Sequence, residues 1–550
     1  MLAGIIDVVN ATWVSAKNLM FAAALALVAA CVCSAQPLPV TYERLLRAST
    51  EPGNWLTYSG DYSSHHYSRL NLITSDNVQR LHAKWIFQMH HAKVETTPIV
   101  VDGIMYVTRP PSDVIALDAE TGRALWTFEY RMASRVYTCC GEVNRGLAIL
   151  GDRLFLNTLD AKLVALDARS GRVLWKKDIT DPSQGYTATA APLAVKDKVI
   201  VGISGGEAGV RGFVDAYYAA TGERAWRFYT IPLPGEPGAE TWTGDSWKHG
   251  GGTTWITGSF DPDLNLVYWG TGNPGPDYNG DVRRGDNLYS CSVVALDPDS
   301  GKLKWYFQFT PHDTHDWDST QVPVLLDSTV AGRPRKLLVE ASRNGFYYVL
   351  DRQNGEFLLA KPYVKQTWAK EIDSKGRPVT LPGQEPTLEG NDEIWPGVDG
   401  GNNWMSPSYN PITKLLYVSA REERRRFFKS DTLEFRAGDM YAGGGGGGAR
   451  FRPEENSGKL LAITPETGEI RWAHHLLTPH WSGVLSTAGN LVFSSTMQGN
   501  FFALDAQTGK ELWHFPGGDK VYASPITFLS RGKQFVTLPI GDNLVAFALD

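Results

Sequence analysis

A short pattern of apolar and polar positions recurs along the chain. Each copy has an apolar run, a polar turn with Thr-Gly or Ser-Gly in most cases, and a second apolar run that ends in Trp. Glycine supplies the positive φ that a tight turn needs, so each copy predicts two antiparallel strands joined by a hairpin. The copies are Ala116–Trp126, Ala165–Trp175, Ala216–Trp226, Ala295–Trp305, Ala462–Trp472, Ala503–Trp513 and a degenerate Val349–Leu359, which has Leu in place of Trp.

The spacing of these copies indicates a closed ring. The closest copies start 41, 49, 51 and 54 residues apart, which suits units of four short strands. Asn543–Ala548 matches the start of a further copy, and Val78–Trp85 matches its missing end. If these segments complete one blade, no sheet edge is exposed. We therefore predict an all-β fold, a single eight-bladed β-propeller with Trp-docking repeats, closed by both termini.

Two longer intervals between copies, of 79 and 113 residues, predict insertions. The second insertion, at about residues 361–453, is rich in Pro, Gly and charge and contains the six glycines Gly443–Gly448. Because glycine loses the most conformational entropy on ordering, we expect a flexible surface loop there. The nearby charged run Arg421–Arg426 is expected to form a solvated face.

The first 35 residues are typical of a secretory signal peptide, which leaves residues 36–550 as the propeller domain. Lys17 precedes an apolar run, Leu19–Val32, that is too short for a transmembrane anchor, and small residues follow it. We therefore expect an exported, periplasmic protein. Val28–Cys31 also resembles a lipoprotein processing site, which would leave Cys31 as a lipidated N-terminus.

Composition narrows the range of partners. The net charge is -6 and the sequence has no basic stripe, so nucleic acid is not an expected partner. Three cysteines remain after the signal peptide: Cys139, Cys140 and Cys291. An oxidising compartment favours pairing of the adjacent Cys139 and Cys140, although a bridge between neighbours is unusual, and two reduced core thiols are the alternative.

The segment Thr310–Asp318 concentrates candidate chemistry. It holds three carboxylates and two imidazoles within a few positions. In extended backbone Asp316 and Asp318 can point the same way, and two converging carboxylates need a hard cation or a shared proton between them. The alternative is a solvated acidic turn. Further polar segments also fall between the repeat copies, around Glu95, Cys139–Arg145, Ser204–Glu207, Gly250–Trp255, Gly270–Asn273 and Ser342–Gly345.

With these ordered motifs the chain resembles the quinoprotein alcohol dehydrogenases, eight-bladed propellers that hold pyrroloquinoline quinone (PQQ) with a metal ion. The resemblance implies that Trp255 stacks on one face of PQQ and that a Cys139–Cys140 disulfide lies on the other. Arg145 would donate to the oxygens of PQQ. The resemblance further implies these cofactor contacts: Glu95, Thr189, Ser204, Gly205, Gly206, Arg343, Asn403 and Trp481.

The resemblance also implies the metal ligands, Glu207, Asn273 and Asp316. Asp316 would be the catalytic base, and Arg343 would stabilise the negative charge that develops on PQQ. Asp318 stands where lanthanide-dependent relatives carry Asp, so we predict La³⁺ or Ce³⁺, with Ca²⁺ as the alternative. His315 either makes the alcohol pocket more polar or packs as a bystander.

The implied activity is oxidation of a primary alcohol to an aldehyde, with electrons passed to a separate cytochrome c because no cytochrome domain follows the propeller. A homodimer is compatible with this activity. A PQQ-dependent polyol or sugar dehydrogenase is the enzymatic alternative. A non-enzymatic propeller scaffold lipoprotein is the alternative from another class, although a scaffold has no need of Glu207, Asn273, Asp316, Arg145 and paired cysteines together.

Overall fold

The computed structural model describes residues 39–91, 93–132, 136, 138–391, 393–447 and 456–550. Val40–Asp550 forms one compact unit, which contains the β-sheets. The predicted signal peptide and Cys31 lie outside the described residues. Among the described residues, no helix has the length and apolar character needed to cross a bilayer.

Eight antiparallel sheets of the described chain form the blades of a β-propeller, as the repeats predict. Blades 1 to 4 consist of these strands: Ile99–Val101, Ile104–Arg109, Asp113–Asp118 and Ala124–Phe128; Ala148–Leu150, Arg153–Thr158, Lys162–Asp167 and Val173–Asp178; Leu193–Val195, Lys198–Gly202, Phe213–Tyr218 and Arg224–Tyr229; Ser259–Asp261, Leu266–Gly270, Ser292–Leu296 and Leu303–Gln308. Blades 5 to 8 consist of these: Val324–Val330, Arg333–Ala341, Phe346–Asp351 and Glu356–Pro362; Ser408–Asn410, Leu415–Glu422, Ser457–Thr464 and Glu469–Leu476; Leu485–Thr487, Leu491–Ser495, Asn500–Asp505 and Glu511–Pro516; Ile526–Ser530, Lys533–Ile540, Asn543–Ala548 and His82–Gln88.

The remaining elements are short. Tyr67–Ser68 pairs in parallel with the first strand of blade 7, and two hairpins stand apart from the blades. The hairpins are Ala369–Ile372 with Pro378–Thr380 and Arg426–Lys429 with Gly444–Gly447. The helical segments are the α-helix Tyr42–Leu46 and the 3₁₀ turns Ala48–Thr50, Val78–Arg80, Pro182–Gln184, Gly206–Ala208, Ala239–Thr241, Ser246–His249 and Gly280–Val282.

Each repeat Trp connects its blade to the next one. The Nε1 of Trp126 donates to the carbonyl of Ala168 (3.3 Å), and a Cβ on Gly171 would come within 2.6 Å of the indole ring. Gly171 is therefore required in this turn for two reasons: its φ is positive (+70°), and the ring approaches its Cα closely. The same donor–carbonyl pairing joins Trp85 to Ala119, Trp175 to Ala219, Trp226 to Pro298, Trp305 to Arg352, Trp472 to Ala506 and Trp513 to Leu81.

In the degenerate repeat a tyrosine makes the equivalent contact. Leu359 cannot donate a hydrogen bond, and Tyr347 donates from Oη to the carbonyl of Pro465 in the next blade (2.8 Å). The turn glycine of that blade, Gly468, packs against the Tyr347 ring, where a Cβ would lie 3.2 Å away. The contact between blades 5 and 6 is thus kept although the Trp is absent.

One blade is built from both ends of the described chain. His82–Gln88 pairs antiparallel with Asn543–Ala548, in register from His82 opposite Ala548 to Gln88 opposite Asn543. This pairing places an N-terminal strand in the same sheet as three C-terminal strands.

The expectation of a loop without regular structure is wrong for Gly444–Gly447, which form a strand. Their backbone pairs with Arg426–Lys429. A Cβ on Gly445 would meet the Phe428 ring at 2.9 Å, and one on Gly446 would lie 3.2 Å from Phe427. Ladder hydrogen bonds and aromatic packing therefore offset the ordering entropy of these glycines.

The charged run is also not the solvated face that we expected. Arg421 and Glu423 are buried and form an ion pair at 2.8 Å. The guanidinium of Arg421 lies over the ring of Trp481, 3.6 Å from its centroid. Pairing and stacking make the burial of this arginine tolerable.

Candidate active site

A pocket lies where loops from several blades converge. It encloses about 870 Å³, open solvent at its mouth included. Most of the residues predicted from the sequence line it, namely Glu95, Cys139, Cys140, Arg145, Thr189, Ser204, Gly205, Glu207, Trp255, Asp316, Asp318, Arg343 and Asn403. Gly206, Asn273 and Trp481 do not lie on its wall, although Gly206 and Asn273 adjoin it.

The adjacent cysteines are joined. Cys139 and Cys140 form a disulfide, which decides between the bridge and two free thiols, and Cys291 is a buried free thiol. The disulfide and the indole of Trp255 both border the pocket, and a carboxylate oxygen of Glu207 lies within 4.8 Å of both cysteine sulfurs. A flat ring bound here would have apolar surfaces available for contact.

A row of polar groups crosses the pocket wall. The buried Glu95 carboxylate pairs with Arg145 Nη2 (2.7 Å) and with Lys93 Nζ (3.2 Å). Arg145 Nη1 donates to Thr189 Oγ1 (2.9 Å), which in turn lies 2.9 Å from Ser204 Oγ. Cationic and hydroxyl donors held in one row are suited to an anion with several carboxylates.

Two glycines bring the metal-ligand candidate Glu207 close to its neighbours. Gly205 has a φ of +107°, and a Cβ there would lie 2.2 Å from the carbonyl of Gly185. A Cβ on Gly206 would lie 3.4 Å from Thr253 and 3.9 Å from Asn273 Oδ1. The tight turn Gly206–Ala208 therefore depends on glycine, and it directs Glu207 into the pocket.

Four acidic side chains lie at or next to the pocket: Glu207, Asp316 and Asp318 line it, and Asp277 contacts Asn273, which adjoins it. Burial raises the pKa of Glu207, and the charge of Asp318 raises it further. Burial also raises the pKa of Asp277 and of Asp316 well above the usual range, with added repulsion from the other carboxylates. A bound cation would offset this repulsion and favour the ionised carboxylates, so these side chains suit a metal site.

Arg343 is the cation closest to this cluster among the described side chains. Its Nη1 lies 2.5 Å from Asp318 Oδ2, and its Nη2 lies 3.6 Å from Asp316 Oδ2. Nε and Nη2 both donate to the carbonyl of Val398 (2.9 and 2.7 Å). Burial lowers the pKa of Arg343, but the charges of Asp316 and Asp318 outweigh burial and raise it overall.

Asp316 has an unusual backbone. Its φ of +60° lies in the left-handed region, where L-residues other than Asn and Asp are uncommon. Tyr278 Oη lies 3.3 Å from Asp316 Oδ2 and donates to it. The phenol of Tyr278 and the guanidinium of Arg343 therefore both lie at Oδ2 of the candidate base.

Asp318 faces the cluster with both oxygens engaged. Oδ1 accepts from the backbone N–H of Asn273 (2.9 Å), and Oδ2 accepts from Arg343. Each carboxylate oxygen has two lone pairs, so a cation can share them. Asn273 is buried beside it, and its amide Nδ2 donates to Asp277 Oδ1 (2.8 Å).

The two remaining cofactor candidates differ in position. Asn403 lines the pocket, and its buried Oδ1 has no hydrogen-bond partner among the described side chains and backbone. Trp481 was expected to contact the cofactor, but Trp404 occupies the wall and Trp481 stacks behind it, with ring centroids 4.2 Å apart and planes 3° apart. Trp404, and not Trp481, therefore borders the pocket.

His315 does not line the pocket described above. It is 5% exposed and stacks on Trp317 at 4.3 Å, and Phe427 meets its edge. Its Nε2 lies 2.9 Å from the carbonyl of Gln384. Of the two alternatives, the structure favours the packed bystander.

Sequence reasoning missed five residues of this region. Lys93, Asp399 and Trp404 line the pocket, and Asp277 and Tyr278 contact its ligand candidates. Lys93 and Trp404 stand close in sequence to Glu95 and Asn403, which is a usable signal. Asp277 and Tyr278 also follow the predicted ligand Asn273 by four and five residues, but the sequence does not show which residues of this insertion face the site.

Comparison with known proteins agrees with this geometry. Residues 55–365 and 454–536 match the family model described as "PQQ: Glucose/ethanol/alcohol dehydrogenase, beta-propeller domain". The quinohemoprotein alcohol dehydrogenase ADH IIB of Pseudomonas putida is 40% identical over 94% of this chain and 78% of its own length. The lanthanide-dependent methanol dehydrogenase of Methylacidiphilum fumariolicum is 38% identical over 96% of this chain and 90% of its own. A solved europium-containing methanol dehydrogenase superposes with a TM-score of 0.88 at 36% identity, covering 92% of this chain and all of that one.

Proposed function

The chain belongs to the PQQ-dependent alcohol dehydrogenases, and from this premise we propose that it oxidises a primary alcohol to an aldehyde with Asp316 as the base. PQQ-dependent alcohol oxidation, with PQQ and a metal ion, follows from the family itself. Because the chain belongs to this family of enzymes, the enzyme is favoured over the non-enzymatic scaffold.

The residues present fit both groups. For PQQ, the row Lys93, Arg145, Thr189 and Ser204 offers donors, and Trp255 and the disulfide offer surfaces to a flat ring. For the metal, Glu207, Asn273, Asp316 and Asp318 would supply oxygen ligands, the type that hard cations prefer. The observation that carries the proposal is that Asp316 and Asp318 share Arg343 in the same pocket as Glu207.

The bound groups would supply a quinone carbonyl at C5 that accepts hydride and a Lewis acid that polarises it. Asp316 would take the proton of the alcohol hydroxyl at Oδ1 or Oδ2 as hydride leaves the adjacent carbon. Tyr278 and Arg343, both on Oδ2, would hold the carboxylate in place. Arg343 would also stabilise negative charge at the reduced oxygen.

We infer a lanthanide ion, La³⁺ or Ce³⁺, in preference to Ca²⁺. Asp318 adds a third carboxylate to Glu207 and Asp316, which better balances a trivalent ion. Two of the similar proteins are named as lanthanide-dependent and europium-containing. We further infer from the family that electrons leave to a separate cytochrome c in the periplasm.

The metal preference is tested on metal-free enzyme loaded with PQQ. We expect La³⁺ to restore more activity towards primary alcohols than Ca²⁺ does, and Asp318→Ala to abolish the response to La³⁺. Asp281→Ala is the control, because its side chain is 65% exposed and pairs with Lys429 at the surface. Higher activity with Ca²⁺ alone would reject the lanthanide.

A panel from methanol to aromatic alcohols and polyols, run with an artificial electron acceptor, separates the primary-alcohol activity from the polyol alternative.

A further inference from the structure

Asp277 is a buried carboxylate for which the proposed reaction has no role so far. It is 2% exposed and lies in the loop between the strand Leu266–Gly270 and the 3₁₀ turn Gly280–Val282. Burial of an aspartate is costly unless a cation or several donors compensate for it. Its side-chain contact is with the metal-ligand candidate Asn273.

The nearest arginine holds the backbone of this loop. Arg283 is fully buried, and its guanidinium donates to the carbonyls of Pro276, Asp277 and Asp313 at 3.0, 3.1 and 2.6 Å. These bonds fix the loop against the segment that carries Asp316. They go to main-chain oxygens, so the carboxylate of Asp277 stays directed at Asn273.

The contact with Asn273 determines which way its amide points. When a bound cation keeps Asp277 ionised, its carboxylate only accepts hydrogen bonds, so the amide of Asn273 presents Nδ2 to it. Nδ2 lies 2.8 Å from Asp277 Oδ1, while Oδ1 of Asn273 is turned towards Gly206, next to Glu207. Asn273 can therefore offer its oxygen, the atom that a hard cation binds.

We propose that Asp277 is a positioning residue of the metal site, which orients Asn273 and adds a fourth carboxylate that favours a trivalent over a divalent ion. The inference rests on the proposed function, because it requires a cation among Glu207, Asn273, Asp316 and Asp318. It adds a residue outside that ligand set.

The charge effect has a quantitative signature. Coulomb energy is proportional to the charge of the ion, so one carboxylate interacts with a 3+ ion about 1.5 times as strongly as with a 2+ ion at the same place. Removing the charge of Asp277 should raise the dissociation constants of both ions. The fold-change for La³⁺ should be about the fold-change for Ca²⁺ raised to the power 1.5. A loss of packing would weaken both ions by the same factor.

The experiment measures dissociation constants by calorimetry on metal-free enzyme loaded with PQQ, titrated with La³⁺ or with Ca²⁺. Asp277→Asn removes the charge and keeps an oxygen that can accept from Asn273. We expect it to weaken the binding of La³⁺ at least tenfold, and that of Ca²⁺ by a smaller factor. Asp277→Ala also removes the acceptor and should weaken both ions further by a common factor. Asp281→Asn, in the 3₁₀ turn that follows the loop, should leave both constants unchanged.

The outcomes separate this inference from the function on which it rests. If the wild-type protein binds La³⁺ and Asp277→Asn binds both ions as tightly, the inference alone is wrong. An equal loss for both ions in Asp277→Asn contradicts the charge effect and overturns the inference too. If the wild-type protein binds neither ion, both the proposed metal site and the inference are wrong.

Discussion

Single residues of this chain show how buried charge is normally balanced and how the site differs. Asp215 pairs with Arg227 at 2.7 Å, and Asp261 pairs with Arg352 at 2.6 Å, so each of these buried acids has its own arginine. At the site, by contrast, Asp316 and Asp318 share Arg343, and Glu207 and Asp277 have no ion-pair partner among the described side chains. This excess of negative charge is what a bound cation would offset.

Two fully buried histidines, His66 and His480, should both contribute to the response of stability to acid. His66 is fully buried, its Nε2 lies 2.9 Å from the carbonyl of Pro525, and burial lowers its pKa to about 4. A depressed pKa gives stability that is present above the unfolded pKa, about 6.5, and is lost as the pH falls towards 4. Over that range His66 should remove roughly 3 kcal/mol from the free energy of unfolding.

This loss is measured by urea unfolding at several pH values. His66→Gln should reduce the pH dependence between about 6.5 and 4 without abolishing it, because the buried His480, whose pKa burial lowers to about 3, acts over the same range. His82→Gln, on a histidine whose side chain is 44% exposed, should leave the pH dependence unchanged. An unchanged pH dependence in His66→Gln would show that this histidine is not the source.

At the scale of elements, contacts that use the repeat could be predicted, and contacts inside the insertions could not. The eleven-residue pattern alone is enough to locate the Trp–carbonyl contacts. It does not reveal that Tyr347 takes over where Leu359 has replaced Trp, because Tyr347 lies on the preceding strand of the same blade, outside the position that the repeat marks. The stacking of Trp481 behind Trp404 likewise depends on packing between distant segments.

The glycine strand is the clearest case of a failed prediction. Composition alone predicts a flexible segment, but the pairing partner Arg426–Lys429 and the facing rings supply what the glycines lack. This strand also supports the site, because a Cβ on Gly444 would meet Tyr278, whose phenol donates to Asp316.

The strand provides a matched pair of substitutions. Gly444 has a φ of +149°, and a Cβ there would lie 2.2 Å from the carbonyl of Phe428, whereas a Cβ on Gly447 meets no atom within 4 Å. We expect Gly444→Ala to cost about 1–3 kcal/mol of stability through overpacking and backbone strain, and Gly447→Ala to cost much less. Thermal unfolding gives the difference, and hydrogen exchange over residues 426–447 locates it. Equal effects of the two substitutions would contradict the packing described here.

At the scale of the whole molecule, the site exists only when the ring is formed. Glu95 precedes blade 1, the disulfide precedes blade 2, Glu207 lies within blade 3, Asp316 follows blade 4, and Asn403 precedes blade 6. These residues are distant in sequence, and the propeller brings them to one pocket. The sequence could suggest this set because loops between blades converge, but it could not supply the distances or the partners of each oxygen.

The most direct test is the position of the ion in crystals of the enzyme with PQQ and La³⁺, located by anomalous diffraction. We predict one strong peak, surrounded by oxygens of Glu207, Asn273, Asp316 and Asp318. The distances from the ion to these oxygens should be roughly 2.3–2.6 Å, the range found for Ca²⁺. A peak elsewhere on the protein, or none in the pocket beside a well-ordered PQQ, would contradict the account.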